Sequence, residues 1–352
     1  MRTTNKEKIL IAVSGGIDSA VAIKILIDLG YDVEGVHFNF WHWEEKDTKK
    51  NDQILSRIST LFRVPIHQLD QQQQFKDVVI KSFMAEQKNG LTPNPCVLCN
   101  PSMKFKLLKY HADALGIDAI ATGHYARTEF NQDQNRYLLK IGVDPNKDQS
   151  YMLCYLDQDT LARTIFPLGN YLKKDVYQIG KELGLPIESR DESQDLCFVE
   201  PENYHHFIKS EIGRLSSGKI INTAGEIVGN HDGLALYTIG QRKGIKVSSH
   251  RPYYVIRKEV KTNTLIIGYE EELERDSLEM IEPNWIYKDP KMPLRADVKI
   301  RYRTASVSSL IEKNENGHFM IKLEQPLRGI TPGQYAVFYD NEYVIGGGKI
   351  IS

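Results

Sequence analysis

Three of the four cysteines in this chain stand where sulfur chemistry can be done. Cys96 and Cys99 form a C-x-x-C pair in Asn94-Pro95-Cys96-Val97-Leu98-Cys99-Asn100. The pair reads as part of a Pro-rich loop ahead of a basic helix start, Lys104-Phe105-Lys106. A thiol near lysines and a helix N-terminus tends to have a lowered pKa and to react as thiolate. Cys197 lies in the polar run Asp191-Glu192-Ser193-Gln194-Asp195-Leu196-Cys197-Phe198. A structural cysteine ordinarily packs among apolar groups, so this is a poor place for one. Cys154, in Tyr151-Met152-Leu153-Cys154-Tyr155-Leu156, has those surroundings and reads as core. A zinc site would need a second C-x-x-C or an H-x-x-x-H partner, and the sequence has neither. A thioredoxin-like dithiol would have no nucleotide loop ahead of it.

Such a loop is present. Ser14-Gly15-Gly16-Ile17-Asp18-Ser19 follows a short apolar β run and opens a helical pattern. Glycines let a backbone turn tightly and approach a ligand. The helix start adds unpaired N–H groups and the positive end of the helix dipole. Together they make an anion cradle suited to a pyrophosphate. Ser14 and Ser19 can add hydroxyl donors, and Asp18 either caps the helix or helps to hold Mg²⁺. The pattern is not a Walker A loop, which needs GxxxxGK[ST]. The strand ending at His37-Phe38 places Phe38 where a ring can pack on adenine. Ala121-Thr122-Gly123-His124 ends a later strand, where Gly123 permits close approach of nucleotide or RNA.

These residues need elements to position them. The segments 8–13, 33–38, 64–69 and 119–123 read as strands, and 18–29, 72–87 and 103–115 as helices. Such alternation implies an α/β domain with a parallel sheet covered on both faces, whose ligands sit at the carboxyl ends of the strands. Residues 150–212 remain helix-rich. Beyond about residue 213, short β-like runs separated by Gly, Asn and Asp suggest antiparallel hairpins and one or two small barrels. The expected division is 1–210 for a catalytic domain, 211–280 for a small central β-rich domain, and 281–352 for a C-terminal barrel-like domain.

The chain has 352 residues, 41% hydrophobic and 26% charged, with net charge −1. Its composition is that of a globular protein with two or three domains. It contains no apolar run of the ~18 residues that a membrane span requires, and no secretory leader pattern at its start. A cytoplasmic location follows as the expectation. The balanced charge excludes a polycation but leaves room for a local basic face that binds RNA. Lys299, Arg301 and Arg303 alternate with Ile300 and Tyr302 along a strand-like run, which suggests a basic stripe for phosphates. Gly240-Gln241-Arg242-Lys243-Gly244 adds a basic turn.

The motifs SGGIDS, NPCVLCN, ATGHYAR, KDQSYML, SQDLCFV, YTIGQRKG and TPGQYAVF occur in this order between residues 9 and 348. In this the chain resembles the bacterial and mitochondrial tRNA-specific 2-thiouridylases (the MnmA family), and its first loop resembles the PP-loop of the ATP-pyrophosphatase superfamily. The resemblance implies ATP-dependent 2-thiolation of the wobble uridine U34 in tRNAs for glutamate, glutamine and lysine. It implies nucleotide binding by Ala12, Val13, Ser14, Gly15, Gly16, Ile17, Asp18 and Ser19, with Phe38 and Gly123. ATP would adenylate the C2 oxygen of U34. A persulfide on Cys197, loaded by a sulfur-carrier protein or a cysteine desulfurase, would supply the sulfur, with Cys99 as the second catalytic cysteine. Either Cys99 attacks the persulfide and releases sulfide, or the persulfide attacks the base and Cys99 resolves it. Both are thiol–disulfide exchanges.

One position departs from the family. Many members have NPDxxCN, and here Cys96 replaces the Asp, so that residue's role does not carry over. Related tRNA thiolases hold a [4Fe-4S] cluster with three cysteines, and Cys96, Cys99 and Cys197 offer a matching set of thiolates. The resemblance also implies tRNA contacts at Asn94, Pro95, Cys96, His124, Lys147, Asp148, Gln149, Arg301, Tyr302 and Gln334, the target base having left its stack. Two rivals remain. An amidotransferase-type synthetase would not need paired cysteines. A non-catalytic RNA-binding protein would release no pyrophosphate.

Overall fold

The computed structural model describes residues 6–41, 45–185, 196–288 and 290–352. Residues 191–195 of the polar run before Cys197 lie outside the described residues. The apolar run KILIA forms β1 (Lys8–Ala12), which is central to a parallel sheet with β2 (Asp32–Asn39), β3 (Ile66–Asp70), β4 (Ala119–Thr122) and β7 (Thr164–Ile165). The order is β3-β2-β1-β4-β7. Alternation along β1 feeds two cores. Ile9 and Ile11 pack with α1 (Ile17–Asp28), α2 (Glu45–Phe62) and Val176 on one face, and Leu10 packs with Phe105, Leu108 and Phe75 on the other. Burial on both faces explains why β1 reads as a continuous apolar run. The sheet reverses its strand order at β1 and β4, where ligands bind in folds of this class. Sequence reading assigned no element to α2. Its many charges mask the buried Leu55 and Ile58 that seat it.

The stretch expected as one helix from 72 is α3 (Gln72–Phe75), a π-helical turn (Lys76–Ile80) and α4 (Lys81–Lys88). The expected loop around the C-x-x-C pair is instead a short helix, α5 (Pro95–Cys99), running through a π-helical segment (Asn100–Phe105) into α6 (Lys106–Ala114). Asn94 caps α5 by accepting the Cys96 N–H at 3.2 Å. Asn at the cap with Pro at the first helical position is a helix-start signature, and counting prolines as loop formers concealed it.

The helix-rich stretch holds α7 (Gln158–Arg163), α8 (Lys173–Glu182) and α9 (Tyr204–Ile212). Next comes a sheet ordered β10-β11-β8-β9 from β8 (Gly218–Asn222), β9 (Ile227–His231), β10 (Tyr254–Glu259) and β11 (Thr264–Gly268). Its hairpins β8–β9 and β10–β11 are antiparallel as expected, but β11 and β8 pair in parallel. The C-terminal region forms a closed barrel of β12 (Glu274–Trp285), β13 (Leu294–Lys299), β14 (Val307–Lys313), β15 (Phe319–Arg328), β16 (Tyr335–Asp340) and β17 (Tyr343–Ile350), shut by pairing of β12 with β17.

A hairpin from the first domain joins this barrel. β5 (Ala126–Asn131) and β6 (Arg136–Ile141) add to the edge of β17 through Tyr343 opposite Lys140 and Val344 opposite Leu139. Lys140 and Arg127 both bond Glu342 there, at 2.9 and 2.6 Å. Cys154, read as core, is fully buried between the first domain and the barrel, and Asn284 donates to its carbonyl at 2.7 Å.

Candidate active site

The loop after β1 is drawn tight by its own hydroxyls. Ser19 Oγ donates to the Gly16 carbonyl at 2.9 Å and accepts from the Ser14 N–H at 3.3 Å. Gly15 has φ +89°, a conformation that favours glycine, and a Cβ there would press on the Asn51 side-chain oxygen at 2.8 Å. Gly16 is the N-cap of α1 and no side chain caps it. The capping expectation for Asp18 is therefore corrected. Its carboxylate turns outward, takes both oxygens to Lys173 Nζ at 2.7 and 2.8 Å, and accepts from the Tyr125 hydroxyl at 2.8 Å. Lys173 also lies over the Tyr177 ring, 4.7 Å from its centroid. With both oxygens on an ammonium, Asp18 does not present a ligand to Mg²⁺ in this geometry. His37 is buried and ties the end of β1 to α2, with one ring nitrogen 2.7 Å from the Val13 carbonyl and the other 2.9 Å from Asn51. Phe38, its neighbour, is buried on the opposite face of β2 against Phe40 and His111.

A second constellation lies beside the first. Lys104 sits at the end of the π-helical turn that follows Cys99, and its backbone N–H bonds the Cys99 sulfur. Cys96, Cys99 and Cys197 all lie close enough to interact with its charge. Burial works against the Lys104 ammonium, but the charges of Cys99, Cys197 and Cys96 outweigh it and hold its pKa above the usual value. Burial pushes the Cys99 thiol up to about 12 even though Lys104 opposes the shift. The expected low thiol pKa is thereby corrected. Cys99 is the last residue of α5, where the chain runs straight on into the π-helical segment, and it is 5% exposed. Cys96 is half-buried. Cys197 is exposed at the surface, yet protein crowds its thiol, and burial raises its pKa.

The end of β4 joins the two constellations. A Cβ on Gly123 would lie 3.3 Å from the backbone of Asp18 and Ser19, so Gly123 makes room for the start of α1 itself. The next residue, His124, stacks on Phe105 with centroids 5.9 Å apart and meets Thr122 Oγ1 at 2.8 Å. Burial and then the charge of Lys104 lower its pKa to about 3, which keeps the ring neutral. Tyr125 then reaches back to Asp18. Three consecutive residues thus meet, in turn, the nucleotide loop, the surroundings of Lys104 and the nucleotide loop again.

Three family models match consecutive regions. One described as a tRNA methyl transferase HUP domain covers 7–201, one described as its PRC-barrel domain covers 205–269, and an aminomethyltransferase beta-barrel domain covers 275–350. The tRNA-specific 2-thiouridylase MnmA of Natranaerobius thermophilus is 39% identical over 98% of this chain and 97% of its own length. The chain belongs to the tRNA-specific 2-thiouridylase family. The relative of that name from Geotalea uraniireducens is 38% identical over 99% of this chain and 96% of its own. Among solved structures, a 4-thiouridine synthetase–RNA complex with bound ATP aligns with 58% of this chain and 50% of its own at 21% identity and a TM-score of 0.37.

Against this 2-thiouridylase background, the expected RNA-contacting residues are not equally placed. Asn94 and Cys96 are half-buried and Pro95 is buried, all at the start of α5. Lys147 is half-buried. Asp148 faces inward, accepting the N–H groups of Gly142 and Ser150 and the Ser150 hydroxyl, so its carboxylate organises its own loop. Gln149 accepts the Tyr125 N–H at 2.9 Å. The expected stripe of Lys299, Arg301 and Arg303 does not form, because β13 ends at Lys299 and the chain turns through Arg301 and Tyr302. Arg301 points inward, donating to the Ile239 carbonyl at 3.2 Å and Thr331 Oγ1 at 2.6 Å. Gln334 donates to the Thr92 carbonyl at 2.8 Å, beside the thiol helix. Sequence reading missed Asn51, Tyr125, Lys173 and Lys258. Tyr125 lies within the ATGHYAR motif but was not singled out there, and the other three lie in no run whose spacing advertises chemistry.

Proposed function

We propose that this chain uses ATP to replace the C2 oxygen of the wobble uridine of tRNA with sulfur. The observation that carries the reading is the end of β4, where Gly123 and Tyr125 meet the nucleotide loop and His124 lies within reach of the charge of Lys104, the lysine that Cys96, Cys99 and Cys197 share. The loop N–H groups would bind the phosphates, and the uridine O2 would attack the α-phosphorus and expel pyrophosphate. The persulfide on Cys197 then supplies sulfur to C2, which expels AMP. Cys99 ends in a disulfide with Cys197, and a dithiol reductant returns both thiols. Cys197 faces the solvent side of the cleft, where a sulfur-carrier protein or cysteine desulfurase can load it. Cys99 is protonated at neutral pH in this arrangement, so binding of tRNA has to open its surroundings before it reacts, with Lys104 as the cation beside it. Neutral His124 can hydrogen-bond the base without adding charge.

The acceptors would be the glutamate, glutamine and lysine tRNAs, and the setting the cytoplasm. Residues 1–210 would carry the chemistry, 211–280 the central support and 281–352 the barrel that meets RNA. Among the described residues, no helix is long and apolar enough to cross a membrane. Among the described residues no group of three or more His, Cys, Asp or Glu is placed to hold a single metal ion, and a [4Fe-4S] cluster on Cys96, Cys99 and Cys197 is the alternative route. The test is anaerobic incubation with ATP, tRNA and a persulfide donor, following pyrophosphate and 2-thiouridine. Pyrophosphate without 2-thiouridine would replace sulfur transfer with another activation, and neither product would sink the reading.

A further inference from the structure

We propose that Lys258, on the central β-rich domain, is a positioning residue for sulfur transfer that fixes where the thiol helix α5 begins. The proposal rests on the thiolation reading above and goes beyond it, since Lys258 lies on a domain that holds none of the reacting groups.

The loop from Gly90 to Asn94 leads into α5, and all three domains converge on it. Lys258 Nζ donates to the Leu91 carbonyl at 3.1 Å and to the Tyr237 carbonyl at 3.0 Å, joining this loop to the central domain. From the barrel, Gln334 donates to the Thr92 carbonyl at 2.8 Å, and the Pro332 carbonyl accepts the Thr92 N–H at 2.9 Å. The contacts are too close for side chains. A Cβ on Gly90, whose φ is +74°, would lie 2.6 Å from Val260 Cγ2, and one on Gly333, whose φ is +94°, would lie 2.9 Å from the Thr92 nitrogen. Just upstream, Lys349 of the barrel pairs with Glu86 of α4 at 2.8 Å.

An ammonium in this place is costly. Among the described residues no carboxylate pairs with Lys258, and burial lowers its pKa to about 8. An apolar side chain could fill the volume without that cost, but it could not bond carbonyls of two domains at once. The link onward is stiff. Pro93 and Pro95 fix their φ angles on either side of Asn94, whose side chain accepts the Cys96 N–H. A displacement at Leu91 is therefore passed to the start of α5 instead of being absorbed between them.

The test compares wild type, Lys258→Met and Lys258→Arg in single-turnover thiolation of a wobble-uridine tRNA with ATP and a persulfide donor. Pyrophosphate release, tRNA affinity and hydrogen exchange of the peptide containing Cys96 are measured on the same samples. For Lys258→Met the expected result is sulfur transfer slowed about tenfold or more, the scale of a misplaced reacting group. tRNA affinity and pyrophosphate release stay near wild type, and exchange at Cys96 is faster. Lys258→Arg, which keeps donors for both carbonyls, restores most of the rate. Transfer at the wild-type rate in Lys258→Met, or a loss confined to tRNA affinity, would overturn the proposal. Pro93→Gly leaves Lys258 and its bonds intact but loosens the link to Asn94. It should give the same split between transfer and affinity even where Lys258→Met does not fold, and a wild-type transfer rate in it would be equally fatal. A wild type that forms no 2-thiouridine would instead count against the thiolation reading.

Discussion

The nucleotide loop and the thiol cleft share one edge of one sheet but are built in opposite ways. The loop is contiguous: residues 14–19 make their own hydrogen bonds and lie at a strand-to-helix junction. The cleft draws Cys96, Cys99, Lys104, His124 and Cys197 from distant parts of the chain and depends on contacts with both β domains. A site of the first kind survives most distant changes. A site of the second kind can lose its geometry to a substitution far from any reacting atom.

Substitutions can break or sharpen that contrast. The largest effect is expected for Cys99→Ser and for Cys197→Ser, each of which should abolish 2-thiouridine formation while pyrophosphate release continues, since activation belongs to the other half. Asp18→Ala should cut pyrophosphate release by about a hundredfold or more, in the range for losing one preorganised electrostatic group. It also releases Lys173, so Lys173→Met should show a smaller loss of the same step, and full activity in both would separate this ion pair from the chemistry. Cys96→Asp comes next. With persulfide transfer through Cys99 and Cys197 it should keep activity within about tenfold of wild type. Complete loss, together with iron and visible absorption in protein purified without oxygen, would favour a cluster.

Two smaller effects test the supporting frame. Arg301→Ala should cost about 1–3 kcal/mol of stability through its lost bonds to Ile239 and Thr331. Binding of tRNA should keep its salt dependence, because the guanidinium is turned away from phosphate. A slope lower by about one log–log unit would restore the phosphate contact. His124 titrates near pH 3 in the fold, against 6.5 ordinarily. Between those values the unfolded chain takes up a proton that the folded chain refuses, so stability falls as pH drops through this window. At pH 5 the loss from this residue is at most about 2 kcal/mol, and His124→Gln should remove it in denaturant titrations at pH 7 and pH 5.

The same contrast explains what the sequence made legible. SGGIDS is local, so its strand, turn and helix were readable together. The apolar periodicity of β1, α1 and β2 gave the parallel sheet, while charge hid α2. The cysteines were identifiable from their types, but their protonation was not. Whether Cys99 titrates low or high depends on burial supplied by segments far along the chain, and a neighbouring lysine in the sequence does not reveal it. Arg301 was expected on a basic stripe from its charge and spacing, whereas its distant partners Ile239 and Thr331 draw it inward. Asp148, placed among the RNA contacts by resemblance, has its carboxylate on Gly142 and Ser150 nearby. Lys173, paired with Asp18 across the fold, left no local signal at all.

The hairpin β5–β6 joins β17, so one edge of the first domain is completed by a strand made much later in the chain. On the ribosome, β6 leaves the exit tunnel long before Tyr343 and Val344 exist. At about 5–20 residues per second, its edge waits roughly 10–40 seconds for a partner. Exposed strand edges of that kind template pairing between chains. Lys140 on β6 and Arg127 on β5 stand at that edge before Glu342 arrives to bond them. During the interval Lys140 is held by Glu129 of the same hairpin at 2.8 Å, so Arg127 is the charge there that waits for Glu342, and a charged side chain at an edge discourages pairing between chains. Arg127, which later helps lock the barrel to the first domain, would therefore serve beforehand as a charge that discourages edge pairing.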